Sequence, residues 1–169
     1  MRENKLSENP SKPTRPYEYH EGILSAVSVG AVFILIGLIF VITPGLWDKI
    51  VTFLSDFTSR QVPNTDISLP APAVPAAHAP LYTAVSQFSL GLIILEILLV
   101  ALRLIMHSPT RKLAQEVGNI VFWLGTAYLI STLLNDATTL NIWFGYWAGI
   151  LMVLGLSLIA RALVLLAKR

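Results

Sequence analysis

The sequence predicts an all-α integral membrane protein: four transmembrane helices in two antiparallel hairpins, plus a short amphipathic helix at the interface. Three observations predict it. Apolar residues make up 54% of the 169 residues and charged residues only 13%, against about a quarter in water-soluble domains. The apolar residues gather in long blocks, as a bilayer requires, rather than in the short periodic runs of a globular core. Lysines and arginines collect at alternate ends of those blocks.

The elements follow in order. Residues 1–19, MRENKLSENPSKPTRPYEY, are polar, carry three prolines and show no apolar period; they predict a flexible tail. No small-residue cleavage pattern follows the first apolar block, so that block is expected to be retained. It runs from Gly22 to Thr43 without a charge, and a helix of that length spans about 33 Å, enough for a hydrocarbon core of about 30 Å. Pro44-Gly45 breaks it. Over 46–59, Trp47, Ile50, Val51, Leu54 and Phe57 share one helical face and the polar residues fall elsewhere, the pattern of a helix lying at the interface or against a partner's soluble face.

Residues 60–80 hold five prolines and several alanines. They predict an extended polyproline-like loop, a linker or docking strap. Three more apolar blocks follow, over 81–106, 113–134 and 140–166, joined by HSPTRK and NDATT. With the first block they make one membrane domain over 20–169.

Charge sets the expected threading. Arg2, Lys5, Lys12, Arg15, Arg103, Arg111, Lys112, Arg161, Lys168 and Arg169 fall on one side, and only Lys49 and Arg60 on the other. Basic residues stay cytoplasmic. Both termini are therefore expected in the cytoplasm of a plasma membrane, with loop 60–80 on the far side.

Polar residues inside the apolar blocks are the candidate functional set. Tyr82, Ser89, Glu96 and Arg103 recur every seven residues, with Ser86 beside them, so they share one helix face. The next helix carries Glu116, Asn119, Trp123 and Thr126. Counting outward from Pro109 places Arg103 level with Glu116, and Glu96 level with Phe122 and Trp123. Arg161 is expected at the same depth from the last helix. A lipid-facing carboxylate costs about 3 kcal/mol or more. Glu96, Arg103, Glu116, Asn119, Arg161, Ser89 and Thr126 are therefore expected to form one inward-facing polar network. It would either pin the helices in register or bind a proton or cation at Glu96.

Small residues mark candidate packing faces: Gly30 with Gly22 and Ala26, Gly118 and Gly125 with Ala114, and the Gly145–Gly149 pair. Tyr17, Tyr19, Trp47, Tyr82, Trp143, Tyr146 and Trp147 lie near the predicted helix ends and are expected to anchor at the interface.

Catalytic patterns are missing. There are no cysteines, no Gly-rich phosphate loop, no HExxH and no GxSxG. His20, His78 and His107 are far apart and lie outside the blocks, so a haem between two membrane histidines is not expected. No metal, other cofactor or nucleic-acid partner is expected either. The sequence thus points to a non-catalytic accessory, scaffold or assembly subunit of a membrane complex. Its partners would be the bilayer and either other chains or a second copy, met through the small-residue faces. The rival expectation is a small oligomeric transporter or channel with Glu96 as its coupling group.

Overall fold

The computed structural model describes residues 16–167, with side chains from residue 22 onward. Most of the tail predicted over 1–19 lies outside the described residues, as do Lys168 and Arg169, and residues 16–19 already belong to the first helix. The described residues form five α-helices: α1 (Pro16–Ile42), α2 (Leu46–Ser55), α3 (Ala79–Ile105), α4 (Thr110–Leu133) and α5 (Leu140–Ala167). A two-stranded sheet, β1 (Phe57–Gln61) and β2 (Ser68–Pro72), and a 3-10 turn over Pro75–His78 lie between α2 and α3.

Among the described residues, three segments are long and apolar enough to cross a membrane: Gly22–Ile42, Pro75–Ile105 and Leu140–Ala167. The chain is therefore membrane-embedded, with three helices of spanning character rather than the four expected. The exception is α4. It has the length, about 36 Å at the usual helical rise, but its first turns carry Arg111, Lys112, Gln115, Glu116 and Asn119. It is the central helix, and its contacts with α3 and α5 are the most extensive between helices in the fold. A helix covered on two sides by other helices need not be apolar all round.

The helix ends follow from local chemistry. Gly45 closes the α1–α2 corner at φ 65°, a left-handed conformation that glycine adopts without a Cβ clash. Lys49 Nζ donates to the Pro44 carbonyl across it. At the end of α3, His107 takes φ 52°, and the Ser108 amide donates to the Arg103 carbonyl at 3.0 Å, the pattern of a Schellman cap. Pro109 then ends the turn and α4 begins. Thr138, buried in the α4–α5 turn, donates its hydroxyl to the Leu133 carbonyl at 3.0 Å and accepts from the Asn135 amide at 2.7 Å.

The segment between α2 and α3 departs from the expected single helix and extended strap. The helix predicted over 46–59 stops at Ser55, and Phe57 opens a strand. β1 and β2 pair antiparallel, Phe57 with Pro72 through Gln61 with Ser68. Backbone bonds Ala73 N to Asp56 O and Val62 N to Ile67 O flank the ladder. Because bonded and non-bonded pairs alternate, Pro70 and Pro72 fall opposite Ser59 and Phe57 at the non-bonded pairs, where a missing N–H costs no ladder bond. Prolines thus fit a short hairpin. On α2, Ile50 of the predicted apolar face turns inward, joined by Leu46 and Phe53, which were not assigned to it, toward Ile39, Leu81 and Ala84 of α1 and α3; Trp47, Val51 and Leu54 of the predicted face are exposed.

Glycines seat the helix interfaces unequally. A Cβ on Gly125 would lie 2.6 Å from Val153 Cγ1, one on Gly149 2.9 Å from Leu129 Cδ1, and one on Gly118 3.2 Å from the Ser157 carbonyl oxygen. These three let α4 and α5 approach closely. Gly91, which the sequence reading passed over, takes Leu35 of α1 against its bare backbone. Gly30 and Gly145, also predicted as packing positions, meet nothing within 4 Å, and neither do Gly37 and Gly155.

Candidate functional site

The seven-residue stripe of α3 faces inward as its spacing requires. Tyr82, Ser89, Glu96 and Arg103 are all buried. So are Glu116 and Thr126 on α4. Arg103 Nε lies 2.9 Å from Glu116 Oε1, with both side chains largely shielded from solvent. The pair forms because the α3–α4 connection is short and antiparallel, which puts residues equidistant from Pro109 side by side.

One turn deeper, Asn119 Nδ2 donates to Glu96 Oε1 at 3.0 Å. The expected neighbours at that level were Phe122 and Trp123; Glu96 reaches instead toward the amide, which supplies a donor. Glu116 stands one turn from Asn119 on α4, and Arg103 two turns from Glu96 on α3. Glu96 Oε2 is buried and has no hydrogen-bond partner among the described residues. Two carboxyl groups, a guanidinium and an amide therefore share one buried space between α3 and α4.

Arg161 does not complete this cluster. It sits half-buried on α5, its Cβ against Gly118, and makes no ion pair among the described residues. The close α4–α5 contact at Gly118 seats the Ser157 backbone and the Arg161 Cβ against α4. Ser89 and Thr126 also stand apart. Ser89 Oγ donates to the Val85 carbonyl of its own helix at 2.9 Å. Thr126 Oγ1 is buried without a hydrogen-bond partner among the described residues. Of the seven predicted network residues, Glu96, Arg103, Glu116 and Asn119 meet.

A second cluster at the sheet end of the bundle was not legible in the sequence. His78 Nε2 donates to Asp56 Oδ2 at 2.9 Å, and the Val74 amide donates to the same oxygen at 3.1 Å. Asp56 thus clasps the end of α2 to the start of α3. The His78 imidazole, then the Val74 amide, hold the Asp56 carboxyl below its usual carboxylate range. The His78 ring stacks edge-on against Phe53 at 5.1 Å between centroids. Phe53 in turn meets Tyr82 and Trp143 edge-on at 6.2 and 6.0 Å. Tyr82, Trp143 and Tyr146, expected as interface anchors, are buried in this core; Trp47 and Trp147 are exposed. The Tyr82 hydroxyl donates to the Pro75 carbonyl at 2.9 Å, which satisfies a polar group that burial would otherwise strand. The only sequence signal for this core was the density of aromatics around positions 53, 57, 82 and 143.

Two outcomes follow. Removing one partner of the buried pair, as in Arg103→Leu or Glu116→Leu, should destabilise the protein by about 3–5 kcal/mol. Removing both should recover much of that loss. A double-mutant cycle of thermal unfolding in detergent measures the coupling, and additive effects would mean the pair is not formed. Because the Asp56 carboxyl is depressed, its contribution is present above the ordinary carboxylate range and is lost as pH falls through the folded value. Proteolysis within β1–β2 should therefore accelerate in acid. Asp56→Asn should show that acceleration already at neutral pH and little further pH dependence there; an unchanged acid limb in the variant would remove Asp56 as the cause.

Comparison of this chain with protein-family models, curated proteins and solved structures finds no match.

Proposed function

We propose that the chain is a non-catalytic accessory or assembly subunit of a membrane complex, held in a plasma membrane with both termini cytoplasmic. In this reading α4 is the fourth crossing, shielded by α3 and α5. The hairpin and α2 lie on the far side, with the exposed face of α2 against the lipid headgroups. The asymmetric placement of lysine and arginine supports the orientation.

One observation carries the subunit reading: the division among the glycines. Gly91, Gly118, Gly125 and Gly149 are filled by neighbours within the chain, whereas Gly30 and Gly37 on α1 and Gly145 and Gly155 on α5 face open space. Small residues in a membrane helix allow another backbone to approach. α1 packs chiefly on α3, and its exposed Phe33, Ile34 and Val41 lie on either side of Gly37. These open positions are the docking surfaces proposed for partner chains or a second copy. The rival reading, a transporter, calls for a connected polar path. Ser89 and Ser157 instead donate to carbonyls of their own helices, which favours the accessory role.

Purification from native membranes in mild detergent should yield stoichiometric partner chains or a defined homo-oligomer. Gly30→Ile and Gly145→Ile should release them without shifting the chain's own melting midpoint. A chain that purifies as a lone monomer would overturn the proposal. Orientation is checked by single cysteines, since the chain has none. In intact cells an impermeant maleimide should label Asp66→Cys, and His107→Cys only after lysis; the reverse pattern would invert the topology.

A further inference from the structure

The Glu96–Glu116 pair holds chemistry that a scaffold alone does not use. Both carboxyl groups are buried, and each meets a side chain on the other's helix, Glu96 with Asn119 and Glu116 with Arg103. Glu116 gives one oxygen to Arg103 at 2.9 Å. Glu96 gives one oxygen to the neutral Asn119 amide at 3.0 Å. The remaining Glu96 oxygen, Oε2, is shielded from solvent and receives no donor among the described residues. A buried carboxylate oxygen beside a second carboxylate is costly unless a positive charge joins it.

The surrounding helices supply charged groups as follows. α3 brings Arg103, whose Nε faces Glu116. α4 brings Glu116 itself and the uncharged Asn119. On α5, Arg161 rests with its Cβ against Gly118 and forms no ion pair among the described residues. α1 has no titratable side chain between residues 22 and 42.

We propose that Glu96 and Glu116 form a binding site for one small monovalent cation, a proton or a sodium-sized ion, held at Glu96 Oε2 between the two carboxyl groups. Either species supplies the same chemistry: one positive charge and a partner for the orphaned oxygen. No bond to carbon changes. The cation enters and leaves as such, so binding couples the α3–α4 interface to pH or to ion concentration. The site stands independently of the accessory-subunit reading, whose own test is partner retention.

The experiment uses the full chain in nanodiscs of zwitterionic lipid. Its thermal midpoint is measured against sodium chloride, with choline chloride holding ionic strength and pH constant. Infrared spectra of the same sample are recorded without sodium, in water and in deuterium oxide. A ligand that binds only the folded form raises the folding constant by up to tenfold for each tenfold rise in its concentration above Kd. A sodium-dependent midpoint in the native chain, lost in Glu96→Gln, identifies a metal-ion site. A sodium-independent midpoint with a carboxylic-acid carbonyl band that shifts in deuterium oxide, present in the native chain and lost in Glu96→Gln, identifies a proton site. A native chain with neither response overturns the proposal, and needs no variant to do so. Sodium or infrared responses that are the same in native and Glu96→Gln chains overturn it equally.

Discussion

Glu116 and Arg103 meet with both side chains largely shielded from solvent, and that contact constrains the neighbouring helices. An ion pair in hydrocarbon survives only with its partners held at bonding distance. Their 2.9 Å separation ties the register of α3 to that of α4. With that register set, Asn119 comes within reach of Glu96, and the polar stripes of both helices turn toward each other. The opposite face of α3 is left facing outward, where Ile94, Ile97 and Leu98 are exposed, as a lipid-facing surface requires.

The α4–α5 interface depends on a different property, the missing side chains of Gly118, Gly125 and Gly149. Van der Waals packing of close backbones replaces the hydrophobic drive that water would supply to a soluble bundle. The contact at Gly118 also explains the position of Arg161. Backbone approach draws its Cβ onto α4 and leaves its guanidinium outside the carboxyl cluster. Small-residue packing and charge pairing therefore compete for α5, and packing decides its register.

At the opposite end of the bundle, one aspartate organises a longer detour. Asp56 ends α2 and binds the Val74 amide and the His78 ring, and its backbone carbonyl accepts from Ala73. The β1–β2 hairpin is thereby returned to the start of α3. Phe53, His78, Tyr82 and Trp143 pack beneath it with rings mostly edge-on, an arrangement aromatic quadrupoles favour. This aromatic core gives the region between α2 and α3 a packed foundation.

Period and composition alone determined the helical membrane-embedded class and the inward face of α3. The seven-residue spacing and the short turn at Pro109 also set the Arg103–Glu116 pair, because antiparallel neighbours joined by a short connection must align by count. The fit of α4 was less legible, since charges that make it a poor span by composition are tolerable only beneath two covering helices. Tertiary structure alone decided the Asp56–His78 clasp, whose members are brought together by the β1–β2 hairpin between them and not by any sequence period. It also decided the hairpin, because proline's missing N–H is harmless only in a particular pairing register. Finally, it decided which glycines pack within the chain. Every glycine has the same bare backbone, and only the arrival of a neighbour such as Leu35, Val153 or Leu129 distinguishes a filled position from an open one.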